Sequence, residues 1–266
     1  MRLLPLLFAW LLLLAAQPAR AQELPNEGQS EAAYLEMLAK PAFAARVDAF
    51  EAWLRAKRVA GILPTWQILR TATMWRECAG PPFEVPPRKY WRRVGDTLRF
   101  VRDHLVRFIG PVEAVSGYRN PDLNRCAHGA ANSAHRDYSA LDLVPLKTLT
   151  RRQIFYRACA LHHWKGRASR VGLGFYAFTR FHIDTRSFRR WGSAGPAGNE
   201  SPCAVIDRGG DPEAPPLPPP PPVPQPMPVP TPDPPPAAAS PTPRPAAPAE
   251  EVPPAPAQNP STAASR

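Results

Sequence analysis

The distribution of proline divides this chain into two materials. Of its 38 prolines, 25 fall between Ser201 and Arg266, leaving 13 for the first 200 residues. A stretch dominated by Pro, Ala, Thr and Gln lacks the large apolar side chains that offset the entropy of ordering a chain. The run Pro-Pro-Leu-Pro-Pro-Pro-Pro-Pro-Val-Pro from Pro215 favours polyproline II and makes a stiff spacer. Residues 211–266 are therefore expected to be a disordered Pro-rich tail, preceded by a single globular domain.

Charge follows the same division. The chain holds 33 Lys+Arg against 22 Asp+Glu, and the excess lies in Gln22–Gly210, which carries +12, whereas the tail is acidic on balance. Such a surface favours anionic partners: nucleic acid, acidic lipid or a carboxylate-rich polymer. The N-terminus narrows the choice. Met1-Arg2 is a short positive region, Leu3 to Ala16 is almost wholly apolar, and Ala19-Arg20-Ala21 places small residues two apart before Gln22. This is the pattern of a secretory signal peptide over residues 1–21, cleaved near Ala21. Its apolar core of about 14 residues is shorter than the ~20 needed to span a bilayer. The mature protein is expected to be periplasmic or secreted, with no stable membrane span and no nucleic-acid partner. In an oxidising compartment Cys78, Cys126, Cys159 and Cys203 favour disulfides. Three pairings are open, and the competing reading is a structural zinc site built from Cys126, His128 and Cys159, which lacks a CxxC spacing.

Residues 22–110 read as the helical part of the domain. Tyr34, Leu38, Phe43, Val47, Phe50, Trp53 and Leu54 recur at helical spacing, with a break at Pro41. Trp66–Trp75 fits helix or strand, and Pro81, Pro82, Pro86 and Pro87 enforce a loop. The clearest helix runs from Tyr90 to Ile109 with Val94, Leu98, Val101 and Leu105 on one face, and Gly110-Pro111 stops it. Residues 111–195 form the core, with strands at Val112–Ser116, Ala140–Val144, Gly172–Tyr176 and Arg180–Thr185 and a helix from Thr150 to about Trp164. Helices first and strands later give an α+β fold, helices packed on a small, mainly antiparallel sheet.

Three stretches carry chemistry: Ser116-Gly117-Tyr118-Arg119-Asn120-Pro121, then Ser133-Ala134-His135 running to Asp142, and Phe181-His182-Ile183-Asp184-Thr185-Arg186. Alternate residues of a strand share a face, so His182 and Asp184 point one way while Phe181 and Ile183 point the other. The same period opposes Asp142 to Leu141 and Leu143, and a carboxylate in an otherwise apolar strand needs a partner. Two imidazoles and a carboxylate from separate segments are what a catalytic zinc requires, with a fourth position left for water. Asp137 competes with Asp142 for the ligand role. His162 and His163 fit surface or core placement, His128 a solvated loop, and Trp191 the sheet edge, with sugar stacking as its alternative.

The set Ser-Gly-Tyr-Arg, Ser-x-His-x6-Asp and His-x-Asp-Thr-Arg, in that order, resembles the M15 zinc peptidases, the D-alanyl-D-alanine carboxypeptidases and murein endopeptidases, over about Val112–Trp191. The resemblance implies Zn2+ held by His135, Asp142 and His182, and the stem peptides of peptidoglycan as substrate. It also implies that Arg119 contacts substrate, either polarising the scissile carbonyl or anchoring a nearby carboxylate. Many members have Gly three residues after the first His and an acid three residues before the last; this chain has Tyr138 and Thr179. Asp184 is the nearest replacement for that acid, either as the general base or as a residue orienting a ligand.

Two functions follow. One is a zinc metallopeptidase cutting an amide in peptidoglycan, a D,D-carboxypeptidase or murein endopeptidase. The other is a non-catalytic peptidoglycan- or envelope-binding module on the same fold, for which Thr179 is the best support. In either case the tail is a candidate contact to an envelope partner.

Overall fold

The computed structural model describes residues 28–192 and 200–213. The leader and nearly all of the Pro-rich tail lie outside the described residues. Helix α1, Glu31–Leu38, starts at Ser30, whose side chain accepts from the Ala33 amide. The break expected at Pro41 is found there, because Pro41 opens α2, Pro41–Ala56, where its missing amide costs no hydrogen bond. Helix α2 buries Val47, Phe50 and Leu54. The ambiguous Trp66–Trp75 segment resolves into a single turn of helix, α3 at Thr65–Ile68, followed by a bridge between Arg70 and Phe83.

The longest helix is continuous from Trp91 to Ile109. It comprises α4, Trp91–Phe100, a turn of π geometry at Val101–Leu105, and α5, Val106–Ile109. Val94, Leu98, Val101, Leu105 and Ile109 are all buried, as their spacing requires. Gly110 ends the helix at φ 91°, a left-handed angle suited to glycine.

The strands are β1 Val112–Ser116, β2 Ala140–Pro145, β3 Gly172–Phe175, β4 Phe181–Asp184 and β5 Arg189–Gly192. Among the described residues they form one sheet in the order β1-β2-β4-β3-β5. Every pairing is antiparallel except β3 with β5. The α+β architecture with a mainly antiparallel sheet is therefore what the chain adopts. Helix α3 packs against β1 and α4 against β2, and the core joins Leu141, Leu143, Leu173, Phe181 and Ile183 to the helical side chains.

Three elements differ from the sequence reading. The segment around Asn124 and Cys126 is helix α6, Pro121–Cys126, with Asn120 capping the Leu123 amide and Pro121 in the first turn. Strand β5 is a parallel edge strand whose Arg-Arg-Trp-Gly sequence carries no alternation. Helix α8, Pro202–Asp207, is stapled to α7, Arg151–Leu161, by the Cys159–Cys203 disulfide. The second disulfide is Cys78–Cys126. Both pairings together exclude the zinc reading of Cys126, His128 and Cys159, since Cys126 is bonded to Cys78 and Cys159 to Cys203.

Tyr138 has a left-handed backbone of φ 60°. It is wholly buried among Phe50 and Tyr118, and its hydroxyl donates to the Ile68 carbonyl at 2.9 Å. Core packing thus offsets a left-handed conformation that costs an L-residue about 1–2 kcal/mol.

Candidate metal centre

Sheet register assembles the site. Ser116 pairs with Asp142, Asp142 with His182, His182 with Gly174, and Gly174 with Trp191, so one transverse row takes one residue from each strand. A register shift between Ala114 and Ser116 brings Ser116 opposite Asp142. The neighbouring row runs Ala140, Asp184, Gly172, Arg189.

The two glycines are needed for close approach. A Cβ on Gly174 would lie 2.1 Å from the Trp191 indole, and one on Gly172 would lie 2.2 Å from Asp184 Oδ2. Their absence lets Trp191 lie 5.3 Å, ring to ring, from His182 and lets Arg189 reach Asp184. Gly174→Ala is expected to cost about 1–3 kcal/mol by overpacking, read from the urea unfolding midpoint. An unchanged midpoint would mean that Trp191 moves aside freely.

His135 arrives on a turn of 3-10 helix, Ala134–Asp137, whose preceding Ser133 accepts from the His135 amide. The Arg119 amide donates to the His135 carbonyl at 3.1 Å, docking the Ser-Gly-Tyr-Arg loop onto this turn. His135, Asp142 and His182 are brought together and are all buried. His135 Nε2 and His182 Nδ1 each lie 3.1 Å from Asp142 Oδ1, and 3.2 Å from one another.

The outer hydrogen bonds fix the tautomers. His135 Nδ1 faces the Gly117 carbonyl at 2.6 Å, and a carbonyl only accepts, so Nδ1 carries the proton. His182 Nε2 donates to Asp184 Oδ2 at 2.9 Å. Neutral imidazoles held this way turn two nitrogen lone pairs and a carboxylate oxygen toward one point. Such a set is repulsive until a cation or a proton enters it. At His135 the electrostatics favour the neutral ring: burial and the nearby Arg119 push its imidazolium down to about 4. His182 differs: burial works against its charged form, but hydrogen bonds from its ring to the Asp142 and Asp184 carboxylates outweigh burial and raise its pKa. Burial alone would lift the Asp142 carboxyl, yet His135, Arg180 and Arg119 together hold it well below the usual carboxylate range. A tetrahedral zinc with ligand distances of ~2.0–2.1 Å has edges of roughly 3.3 Å, close to the separations here. The donor set therefore fits the metal.

Asp142 Oδ2 is held from the other side by Arg119 and Arg180, each at 2.6 Å. Arg119 also donates Nε and Nη2 to Ser116 Oγ at 3.1 and 2.9 Å. Asp184 is fully buried and lies on the ring nitrogen of His182 opposite the three-atom cluster. It accepts from Arg189 through both oxygens and from the Arg186 amide. Tyr176 lines the site beside Arg180 and Trp191, and its phenol is kept protonated by burial and the Asp142 charge.

The competing residues lie elsewhere. Asp137 is an ion-pair partner of Arg93 and Arg186. His162 is a core residue, stacked 4.5 Å from the Phe188 ring with Nε2 at 3.0 Å from the Val171 carbonyl. His163 and His128 are exposed, and Thr179 is half-buried at the β3–β4 turn. Arg180, Tyr176 and Arg189 were not singled out from sequence. The Arg-Arg-Trp run two strands away held no local sign of its partner.

Residues 68–184 match the family model Peptidase M15. No curated protein and no solved structure matches the chain. The matched segment contains His135, Asp142, His182, Asp184, Arg119 and Arg180, and ends just before the β5 residues that buttress them. The match and the buried His-Asp-His cluster on an α+β core together support an M15 family peptidase domain over residues 68–184.

Proposed function

We propose that the chain is an exported zinc peptidase that hydrolyses an amide in the peptide part of peptidoglycan. The observation that carries this reading is the convergence of three potential ligand atoms, from buried His135, Asp142 and His182, within 3.2 Å of one another. Zinc bound there supplies a Lewis acid that acidifies water and polarises a carbonyl. Arg119, fixed by Ser116 and Asp142, supports negative charge developing on the scissile carbonyl oxygen. Asp184 orients His182 by holding its Nε2 proton, so that Nδ1 faces the cluster. Its own oxygens are occupied by His182, Arg189 and the Arg186 amide, which favours this role over that of general base. Tyr176 and Trp191 wall the site with apolar surface and exclude water. Export is supported by the leader-like residues 1–21 and by two disulfides, which persist in oxidising compartments. The basic domain suits a carboxylate-bearing polymer.

The test is elemental analysis of the purified mature chain alongside digestion of isolated peptidoglycan. Near-stoichiometric zinc and new muropeptides are expected from the wild type. His182→Ala should lose both, and Asp184→Ala should lower zinc affinity about 10–100-fold. Zinc without any product would overturn the peptidase in favour of an envelope-binding module, and no zinc after supplementation would overturn the ligand set.

A further inference from the structure

Helix α7 carries a row of exposed side chains. Arg152, Tyr156, Ala160 and Trp164 recur every four residues, the last on the turn of π geometry, His162–Gly166, that continues the helix, and all four are exposed. Large apolar residues exposed singly are ordinary, but here two rings share one line. Trp164 is 61% exposed and Tyr156 40%. Phe108 of α5 stands 5.9 Å from Trp164, ring to ring, and widens the patch. The small Ala160 leaves a dip between the two rings. Cations flank them: Arg152 lies 6.0 Å over Tyr156 and Lys165 3.9 Å over Trp164. Residues 151–167 hold five Arg+Lys and no Asp or Glu.

The chain comes back to this row after α8. The Cys159–Cys203 bond holds α8 on α7, and Asp211 Oδ2 then pairs with Arg152, at the start of the row, at 2.8 Å. Asp211 Oδ1 accepts from the Glu213 amide at 3.1 Å, so the chain turns at Pro212-Glu213 beside that arginine. Two residues past the turn the sequence reads Pro-Pro-Leu-Pro, at 215–218. Aromatic surfaces take such segments because polyproline II is already ordered and loses little entropy on docking. The lengths agree. Tyr156 and Trp164 are eight residues apart, roughly 12 Å along a helix, and polyproline II covers ~12 Å in about four residues. Charge agrees as well, since residues 211–266 hold five acids against two arginines. With Asp211 held at Arg152 the link is short, and a short flexible link gives an effective concentration in the roughly millimolar range. A contact too weak to form between molecules is then occupied within one.

We propose that residues 215–218 dock on Tyr156 and Trp164 of their own chain. The occupant is the start of the Pro-rich segment, and the contact covers the apolar row of an otherwise basic helix without calling on a second molecule. It is independent of the peptidase reading.

The experiment uses the full mature chain labelled with 5-fluorotryptophan and followed by fluorine NMR. The Trp164 signal is identified by its loss in Trp164→Phe. A second chain has residues 215–224 replaced by alternating Gly and Ser, which leaves the described domain untouched. The Trp164 signal should differ between the two chains while those of the other tryptophans coincide. In the natural chain Tyr156→Ser should lower the ratio of docked to free by about tenfold, the scale of a lost aromatic contact, judged against the same substitution in the Gly/Ser chain. Leu35→Ser, an exposed apolar position on α1, should leave the ratio unchanged. An identical Trp164 signal in the two chains would overturn the proposal, as would a ratio indifferent to Tyr156→Ser. A difference that faded on dilution would also overturn it, and would assign the row to the Pro-rich segment of another copy.

Discussion

Asp142→Ala should unfold the domain at markedly lower urea than any other single change at the site, with a loss of about 3–5 kcal/mol. The reason is the company the carboxylate keeps. Asp142 is wholly buried, and its removal takes the carboxylate partner from the guanidiniums of Arg119 and Arg180, whose side chains are only 9% and 12% exposed. An unpaired buried charge costs far more than a missing contact, because water cannot replace the lost partner. The same variant should bind no zinc, since the remaining imidazoles supply two ligands. Asp142→Asn preserves shape while removing the charge, and should fall between wild type and Asp142→Ala in stability. Asp122 provides the control: its pair with Arg125 is almost fully exposed, and Asp122→Ala should leave the urea midpoint where it is. A midpoint for Asp142→Ala close to that control would show that Arg119 and Arg180 find water or other partners, and would remove Asp142 from the centre of the site.

The second large effect is expected from the Cys159–Cys203 disulfide. It closes a loop of 44 residues, for which chain-entropy reasoning gives about 4 kcal/mol. Its structural reach exceeds that figure. Helix α8 is a two-turn element that would not be stable alone, and its Asp207 pairs with Arg190 on the edge strand β5 at 2.5 Å. Strand β5 in turn carries Arg189 against Asp184 and Trp191 against His182. Cys159→Ser with Cys203→Ser should therefore lower stability by about 4 kcal/mol and also weaken zinc binding. The corresponding change at Cys78 and Cys126 should cost similar stability but leave β5 in place. If both double variants affected zinc equally, the support from α8 through β5 would be unnecessary.

What the sequence made legible was local. Strand β2 announced itself by Leu141 and Leu143 around a lone carboxylate, and β4 by the His182-x-Asp184 alternation. The helix at Trp91–Ile109 followed from apolar spacing. Helix α6 had a readable start in Asn120-Pro121, which an N-cap reading finds, though its six residues were too short to show periodicity. What stayed hidden depended on tertiary pairing. Arg180 bonds a carboxylate 38 residues away, and no pattern distinguishes it from a solvated arginine. Arg189 and Trp191 acquire their roles only because β5 pairs in parallel with a strand whose two glycines leave room. The disulfide pairing likewise belongs to the packed helices, not to the spacing of the cysteines.

The row Ser116, Asp142, His182, Gly174, Trp191 has a consequence for how the protein matures. Side chains alternate between the faces of a sheet, so a slip of one residue in any strand pair sends that strand's member to the wrong side. The row is complete only when every strand from β1 to β5 is in register, including a parallel edge strand that follows the antiparallel hairpin, whereas the two strand-borne members of the cluster, Asp142 and His182, need only β2 and β4. Long-range pairings of this kind form late. On the proposed reading, metal binding would then report on the β2–β4 pairing: a copy with those strands out of register would lack Asp142 opposite His182 and would stay empty.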